Sequence, residues 1–524
     1  MHPPLWHPSI ELSAQEQAVV SRIRRAKLFT FLRQIRHELL DDEFQQELHK
    51  IFRDSTKGHP PVPPAQLALA TILQAYTGAS DDEVIEALVM DRRWQLVVDC
   101  LDSQKPPFSK PTLIRFRNAL MKHRLDRRLI ERTVYLAEQT GGFGYRQLRG
   151  ALDSSPLWGA ARVEDTYNLL GHALRKALGV IARQQGRELA AVATEAGATV
   201  IAGSSLKAAL DLNWDEPNER QRALGLVLAA LESVECWLQP QTELKKTCGV
   251  ESSLAIAHQV RTQDVQTATA GIPQLRRGVA PSRRITVEDP SMRHGRKSRS
   301  QKFNGYKRHV LRDLDTGLIR AVGVTPANVP EAWVSDAITT DLKVQSVKLS
   351  ELHIDRAYLS SKLVRNRPVD LDIYCKAWPV RSQGGRFSKT AFVLDWERQK
   401  ISCPNHVSVP FRLGGTVQFP ADACAVCPLH SRCTTNNRGR TVSIHPEERL
   451  LQELRQRQLT TLGRAKLRER VAVEHSLAHV GRIQGQRARY RSLRKNLFDL
   501  RRCAVVHNLH LIARLVAQAQ QQQA

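Results

Sequence analysis

The sequence predicts an α/β protein whose mixed core carries a helical insertion and a cysteine-bearing β/loop insertion, with an all-α region before it. Three observations support this class. Residues 14 to 135 have helical periodicity, and two short apolar runs, Leu148 to Leu152 and Leu352 to Ile354, have the length of buried strands and end in aspartates. A second helical stretch separates these runs, and the cysteines gather in a later segment. The pattern therefore predicts a sheet interrupted by two insertions.

Composition restricts the class of partner. The chain of 524 residues has 78 Lys and Arg against 52 Asp and Glu, a formal net charge of +26. Such an excess favours a nucleic-acid partner, because each neutralised phosphate releases bound cations; a surface selected for solubility is the alternative. No window approaches the roughly 18 apolar residues that a membrane span needs, and the N-terminus lacks the order of a signal peptide. We therefore expect a cytoplasmic, nucleoid-associated protein.

The region 14 to 140 is predicted to be a helical DNA-binding domain. Pro63 and Pro64 precede an apolar stretch, Gly78 ends it, and Ser80 with Glu83 forms a capping box for the next helix. A further helix after Ser109 would display Arg115, Lys122 and either Arg117 or Arg124 to a DNA groove. An ordinary helical bundle with solvated arginines is the alternative.

The region 145 to 515 is predicted to form the α/β domain. After the strand ending at Asp153 come a helical and basic insertion at 168 to 300, a hairpin around Asp315-Thr-Gly317, a helix, and the strand ending at Asp355. This order is that of an RNase H-like core with additions. A β/loop insertion is expected at 368 to 445, long helices at 447 to 479 and 493 to 517, and a disordered tail at 516 to 524.

Carboxylates carry the candidate chemistry. Cutting a phosphodiester without a covalent enzyme intermediate requires metal ions, and Mg²⁺ requires oxygen ligands from rigid elements. Asp153 and Asp355 end predicted strands, and Glu474 lies four residues after Arg470, on the same helix face. Each acid alone has a plain alternative, a turn-forming aspartate or a surface ion pair. His309, at a predicted strand end, is expected to be packed and hydrogen-bonded rather than an acid–base residue.

The chain resembles the DDE transposases of bacterial insertion sequences, in particular those with an N-terminal helical transposase domain and a cysteine-bearing DDE domain. The resemblance spans roughly residues 40 to 515. Its motifs occur in the expected order: Pro63-Pro-Ala-Gln-Leu, Leu73-Gln-Ala-Tyr-Thr-Gly-Ala-Ser-Asp-Asp-Glu83, Asp91-Arg-Arg-Trp-Gln95, Leu152-Asp153 with Asp165-Thr166, Gly305-Tyr-Lys-Arg-His309, Val324-Thr-Pro-Ala-Asn328, Ile354-Asp355-Arg-Ala-Tyr358, Arg470-Val-Ala-Val-Glu474 and Arg487-Ala-Arg-Tyr-Arg491.

The resemblance implies a catalytic triad of Asp153, Asp355 and Glu474 that holds two Mg²⁺ or Mn²⁺ ions and performs DNA cleavage and strand transfer at element ends. It also implies double-stranded DNA and a homodimer on DNA as partners. The expected DNA contacts are Arg470, Arg482, Lys307, Arg308, Arg487, Arg489 and Arg115. Related transposases often have Tyr three before the Arg and Lys seven after the Glu, where this chain has Leu467 and Gly481, with Arg482 one place later. A non-catalytic DNA-binding relic and a nuclease that never joins strands are the alternatives.

Four of the nine cysteines are clustered. Cys403, Cys424, Cys427 and Cys433 include a C-x2-C pair, the spacing of a structural zinc site. Reduced loop thiols and an iron–sulfur cluster are the alternatives. We therefore predict a possible structural Zn²⁺ in the second insertion.

Overall fold

The structure is a computed structural model of the chain. It describes residues 3–52, 61–101, 103–139, 147–203, 205–267, 271–298, 300–380, 382 and 384–523. Within these ranges every helix is too short or too polar to cross a membrane. Residues 140–146, where the two predicted regions meet, lie outside the described residues.

The N-terminal region is helical, as predicted. Its helices are α1 (Ala14–Arg22), α2 (Lys27–Leu39), α3 (Asp42–His49), α4 (Pro64–Thr77), α5 (Asp81–Met90), α6 (Arg92–Val98), α7 (Lys110–Lys122) and α8 (Arg128–Gln139). Gly78 ends α4 in the left-handed conformation (φ 78°), which a glycine adopts without strain. The capping box of Ser80 and Glu83 is present at the start of α5. The predicted helix, turn and helix are therefore confirmed.

The first strand, β1 (Leu148–Trp158), is followed by the helical insertion. The insertion contains α9 (Thr166–Gln185), α10 (Leu189–Glu195), α11 (Leu206–Leu210), α12 (Pro217–Leu238), α13 (Thr242–Lys245) and α14 (Cys248–Asp264), and a hairpin of β2 (Val265–Thr267) and β3 (Pro273–Leu275). Leu170, Leu174 and Leu231 belong to an apolar core of its own. The predicted helical character of this block is confirmed.

The remaining strands of the main sheet are β4 (Arg293–Arg296), β5 (Lys302–Asp313), β6 (Ile319–Pro326), β7 (Leu349–Ile354) and β8 (Asp372–Tyr374), with α15 (Ser335–Val344) and α16 (Lys362–Arg365) between them. The strand order is β6, β5, β1, β7, β8, and β4 pairs with the same edge of β5 as β6 does. Strands β5 and β6 run antiparallel to their neighbours, whereas β1, β7 and β8 are mutually parallel. The predicted hairpin is confirmed, with longer strands.

The second insertion is built from short strands: β9 (Val393–Asp395), β10 (Lys400–Ser402), β11 (Ser408–Pro410), β12 (Thr416–Gln418) and β13 (Thr441–Ser443), with α17 (Ala421–Ala425) and α18 (His430–Cys433). A small core that includes Phe392, Ile401 and Phe419 holds them together. The segment is β- and loop-rich, as the sequence predicts.

The C-terminal helices differ from the prediction of two long helices. The first is divided into α19 (Glu448–Leu459), α20 (Thr461–Glu469) and α21 (Val471–Gln484), and the second is α22 (Leu493–Gln523). Thr460 caps α20 by accepting a hydrogen bond from the Gly463 N–H, which stops α19 from continuing. The segment 516 to 523, predicted to be disordered, is helical, because its Ala and Gln residues readily extend a helix that is already formed.

Helices cover both faces of the sheet. Leu152 and Ile354 share one core with Ile338 of α15 and Leu451 of α19. On the other face, Ala151 belongs to a core that joins α21 and α22 to the N-terminal helices. The N-terminal helices therefore pack on the sheet domain mainly through the C-terminal helices, and α8 also contacts β6 directly.

Candidate active site

Asp153 and Asp355 occupy equivalent positions on neighbouring strands. Strands β1 and β7 are parallel, and their last paired residues are Leu152 and Ile354. The next residue on each strand is the aspartate, so the two carboxylates lie side by side at the end of this pairing. Contrary to the prediction, β1 does not end at Asp153, because it continues to Trp158 in antiparallel pairing with β5.

Glu474 faces these aspartates from α21. This helix packs on β1 and β5, with Val473, Leu477 and Val480 buried beneath it. Ala151 lies on the sheet face that packs against α21, and side chains of a strand alternate between faces, so Asp153 points toward the same helix. Glu474 in the first turn of α21 therefore closes one side of a cleft of about 710 Å³ that Asp153 and Asp355 also line. We call it the β1–α21 cleft.

Arg470 bridges two of the three acids. Its Nη1 donates to the Asp153 carboxylate, and its Nη2 donates to Oε1 of Glu474 at 2.9 Å. The guanidinium thus lies between the two carboxylates. It offsets their repulsion and fixes the distance between the sheet and α21 at this point.

Burial raises the pKa of Asp153 above its ordinary value, and the nearby charge of Asp355 acts in the same direction. The Ser154 N–H, which donates to Oδ1 at 2.7 Å, and the Arg470 charge oppose this rise. An acid in this setting favours a bound cation, because a positive charge stabilises its ionised form.

Tyr358 and His309 form a buried, hydrogen-bonded pair beneath the site. Tyr358, three residues after Asp355, lines the cleft and is almost fully buried. Its hydroxyl shares a hydrogen bond of 2.8 Å with Nδ1 of His309, whose Nε2 lies 2.9 Å from the Thr325 hydroxyl. Burial lowers the pKa of His309 to about 3. The expectation of a packed, hydrogen-bonded His309 is confirmed.

Several cations line the cleft without internal partners. Arg296, Lys297 and Arg482 are exposed, and no hydrogen bond or ion pair engages their side chains within the described ranges. Arg482 was among the predicted DNA contacts. Arg296 and Lys297 were not singled out, although the density of basic residues from Arg276 to Arg308 was the signal for them.

The neighbouring residues Lys307 and Arg308 also line the cleft but are buried. Lys307 donates to the Val329 carbonyl and is paired with Glu331, both at 2.8 Å. Arg308 donates to oxygens of Ser155, Gln484 and Gly485. Their internal partners could not be predicted from the sequence, which indicated only basic residues near the site.

The other predicted DNA contacts lie outside the cleft lining. Arg487 is exposed and donates to the carbonyls of Gly159 and Ala160. Arg489 is exposed near the turn at Gly78, and Arg115 is exposed on α7. The sequence predicted that either Arg117 or Arg124 would also face DNA. Arg117 is wrong, because it is buried in an ion pair with Asp81 at 2.6 Å. Arg124 is exposed.

A second acidic group lies on β7 and at the end of α20, just before Asp355 and Arg470 in the chain. Among the residues that the structure describes, Glu351, His353 and Glu469 are the group of possible metal ligands whose ligand atoms all lie within 4.8 Å of one another. Lys466 donates to Glu351 at 2.7 Å, and Arg149 contacts both glutamates. Burial alone would raise the pKa of Glu351, but these cations lower it to about 2. Two cations therefore already neutralise this group, which ties α20 to β7.

The four clustered cysteines line one small pocket in the second insertion. Each is partly buried with a free thiol. Burial raises the pKa of Cys433, and the other three thiols act in the same direction. They do not form a group with ligand atoms within 4.8 Å of one another, so the predicted zinc site stays a prediction.

Sequence models of known families match three parts of the chain. A model described as Transposase domain (DUF772) matches residues 21–119, and two described as Transposase DDE domain match residues 265–372 and 403–513. The last two segments contain Asp355 and Glu474, whereas Asp153 lies outside the matched segments. Searches of curated proteins and of solved structures found no match.

The matches agree with the order of elements in the chain. A helical transposase domain comes first, and the two DDE matches cover the strands β4 to β7 and the helix α21 that carries Glu474, with Arg470 directly before it. DNA is the partner that such domains imply, and divalent metal is the cofactor that they imply. The chain belongs to the DDE transposases of the insertion-sequence type.

Proposed function

We propose that this transposase cuts DNA at the ends of its element and joins the freed ends to target DNA, in a reaction that depends on divalent metal. The observation that carries the proposal is the matched register of Asp153 and Asp355, with Glu474 across the same cleft. Three carboxylates from a sheet and a helix are the donors that phosphoryl transfer by two metals requires.

The donor set fits a hard divalent cation. Asp153, Asp355 and Glu474 offer only oxygen ligands, which Mg²⁺ prefers. The Arg470 guanidinium already places a positive charge between two of these carboxylates. Two bound ions would activate the attacking water or 3′-hydroxyl and stabilise the leaving oxygen. Asp153, the most buried of the triad, Asp355 and Glu474 would hold these ions.

Arg470 is proposed to orient the DNA strand. It is held between the carboxylates by charge rather than by packing, since its side chain is 27% exposed. A phosphate entering the cleft offers it a bidentate partner of the same kind. The unpaired Arg296, Lys297 and Arg482 are proposed to neutralise further phosphates, while Arg487, Arg489 and Arg115 remain proposed contacts outside the cleft.

The sheet is proposed to be RNase H-like. Its support is the strand order β6, β5, β1, β7, β8, with three antiparallel strands followed by two parallel ones, and the position of the two aspartates on the central pair.

We also propose that two protomers pair two element ends. Mixing wild-type protein with a triad variant tests this, because a joint reaction on paired ends is poisoned by one inactive subunit.

The test of the function uses Asp355→Asn and the DNA that flanks the gene. The variant is expected to bind this DNA as the wild type does and to leave it uncut in Mg²⁺, because the amide is a poor metal ligand. Cleavage by the variant at the wild-type rate would overturn the proposal.

A second assay separates joining from cutting. Incubating a pre-nicked element end with target plasmid is expected to yield covalent joint molecules. Cleavage without joint molecules would identify a nuclease, and specific binding without any cleavage by the wild type would identify a non-catalytic relic.

A further inference from the structure

Arg308 is a buried arginine in the wall of the β1–α21 cleft. It lies on β5, directly opposite Ser155 of β1 in the strand register, and only 5% of its surface is exposed. Ser155 follows Asp153 by two residues, so both side chains are on the same face of β1, about 7 Å apart along the strand. The Arg308 guanidinium therefore lies in the same cleft as the triad, one strand repeat away from it.

The partners of Arg308 are all neutral. Nε donates to the Ser155 hydroxyl at 2.7 Å, and Nη1 donates to Oε1 of Gln484 at 3.1 Å and to the Gly485 carbonyl at 2.9 Å. No hydrogen bond within the described residues uses Nη2, and no carboxylate there forms an ion pair with this guanidinium. Its hydrogen bonds within the described residues are thus all to neutral dipoles.

The nearest acid in this network is already neutralised. Gln484 donates to Asp499 at 3.2 Å, so Asp499 is linked to Arg308 by hydrogen bonds through that amide, and its charge acts on the guanidinium from beyond ion-pair distance. Asp499 is itself ion-paired with Arg502 at 2.6 Å. The adjacent Lys307, by contrast, has its own counter-ion in Glu331. Within the part of the chain that the structure describes, Arg308 is therefore the buried cation of this pair that has no ion-pair partner.

Gly481 makes room for this guanidinium. A Cβ at position 481 would lie 3.1 Å from Nη2 of Arg308, which is closer than side chains normally pack. Gly481 also lines the cleft, two turns after Glu474 on α21. The helix thus has no side chain at the point where the arginine from β5 emerges.

A buried charge without a counter-ion costs free energy unless a ligand supplies the opposite charge. We propose that Arg308 binds a phosphate of the DNA strand in the β1–α21 cleft, next to the triad, and that Ser155, Gln484 and Gly481 position its guanidinium for this contact. The inference rests on the proposed function in taking DNA as the anion. Nη2, which makes no hydrogen bond to any of the described residues, is the group left to donate to the phosphate.

The salt dependence of DNA binding tests this contact. Each phosphate contact adds about 0.9 to the slope of log K against log salt on duplex DNA, and about 0.7 on single strands. In an Asp355→Asn background, Arg308→Gln is expected to lower the slope by about that amount, whereas Arg308→Lys keeps it. Arg284→Gln is the matched control, because Arg284 is buried with carbonyl partners outside the cleft and should leave the slope unchanged.

A charge-relocation variant separates this role from a structural one. Gly481→Lys added to Arg308→Gln places a cation in the same space and is expected to restore the slope. If Arg308→Gln does not fold, Gly481→Leu displaces the guanidinium from the other side and should lower the slope alone. A wild-type slope in Arg308→Gln, or a reduced slope that Gly481→Lys fails to raise, would overturn the inference. Failure of the proposed function would appear separately, as cleavage by the Asp355→Asn protein.

Discussion

His309 and Tyr358 share a buried hydrogen bond of 2.8 Å directly below the cleft. His309 is fully buried on β5, and Tyr358 follows Asp355 in a short 3-10 turn. The pair connects β5 to the segment that carries Asp355. The neutral imidazole is therefore part of what holds this aspartate beside Asp153.

Acid is expected to destabilise the protein through His309. Burial lowers the pKa of His309 to about 3, so between pH 6.5 and 3 the unfolded chain binds a proton that the folded chain does not. The stability contributed by the neutral imidazole is complete above pH 6.5 and declines as pH falls, by at most about 1.4 kcal/mol per pH unit. Urea unfolding at pH 7.5, 6 and 5 measures the decline.

His309→Asn is expected to be less stable than the wild type at pH 7.5 but to lose less stability on acidification. His123→Asn is the control, because His123 is exposed at the end of α7. An equal acid dependence in the wild type and His309→Asn would show that another group is responsible.

Gly463 is expected to be required for the corner between α19 and α20. A Cβ at this position would overlap the carbonyl oxygen of Arg457, so Gly463→Ala should lower the free energy of unfolding by about 1–3 kcal/mol. Gly225→Ala in α12 meets no atom within 4 Å and should raise it by about 0.5–1 kcal/mol, as expected for a helix interior. Equal effects of the two substitutions in denaturant titrations would contradict the geometry of this corner.

The spacing of the four cysteines predicts that their pocket binds one zinc ion per chain. Elemental analysis of the purified protein measures this. Cys424→Ser and Cys427→Ser should each lose the metal and destabilise the small second insertion, because its short strands share only a small core. Cys236→Ser, an exposed cysteine of α12 outside the pocket, is the control. Full zinc content in both pocket variants would exclude the site.

The Glu351 group is expected to be structural rather than metal-binding. Glu351→Gln removes a carboxylate that Lys466 and Arg149 share, so it should lower stability without changing the amount of Mn²⁺ bound. Equilibrium dialysis with Mn²⁺ checks this against Asp153→Asn, which is expected to lose metal. Lower Mn²⁺ binding by Glu351→Gln would assign a metal to this group.

The positions of the candidate site residues in the fold could be predicted from the sequence better than their surroundings. Asp153 and Asp355 follow apolar strands, and the strand and hairpin patterns around them are local, so both could be placed from the chain alone. The packing of the N-terminal helices on α22 joins residues hundreds of positions apart, and no local pattern shows such contacts. The break of the helix at Thr460 was not predicted, because the sequence alone does not distinguish a threonine that caps a helix from one inside a helix.

The partners of the basic residues could not be predicted for the same reason. Arg296 and Arg308 look alike in the sequence, yet the first is exposed and the second is buried against Gly481. Arg117 is a candidate DNA contact by sequence, yet in the fold it forms a buried ion pair with Asp81. Charge alone indicates a DNA-binding surface, and only the fold separates the free cations from those that hold it together.

Single-turnover cleavage by triad variants tests the central claim most directly. Asp153→Asn, Asp355→Asn and Glu474→Gln are each expected to reduce Mg²⁺-dependent cutting of the flanking DNA to background while retaining DNA affinity. Pairs of these substitutions should cost little more than one, because the three acids act as a unit. A single variant that keeps a substantial part of the wild-type rate, or losses that multiply when substitutions are combined, would contradict a shared metal site.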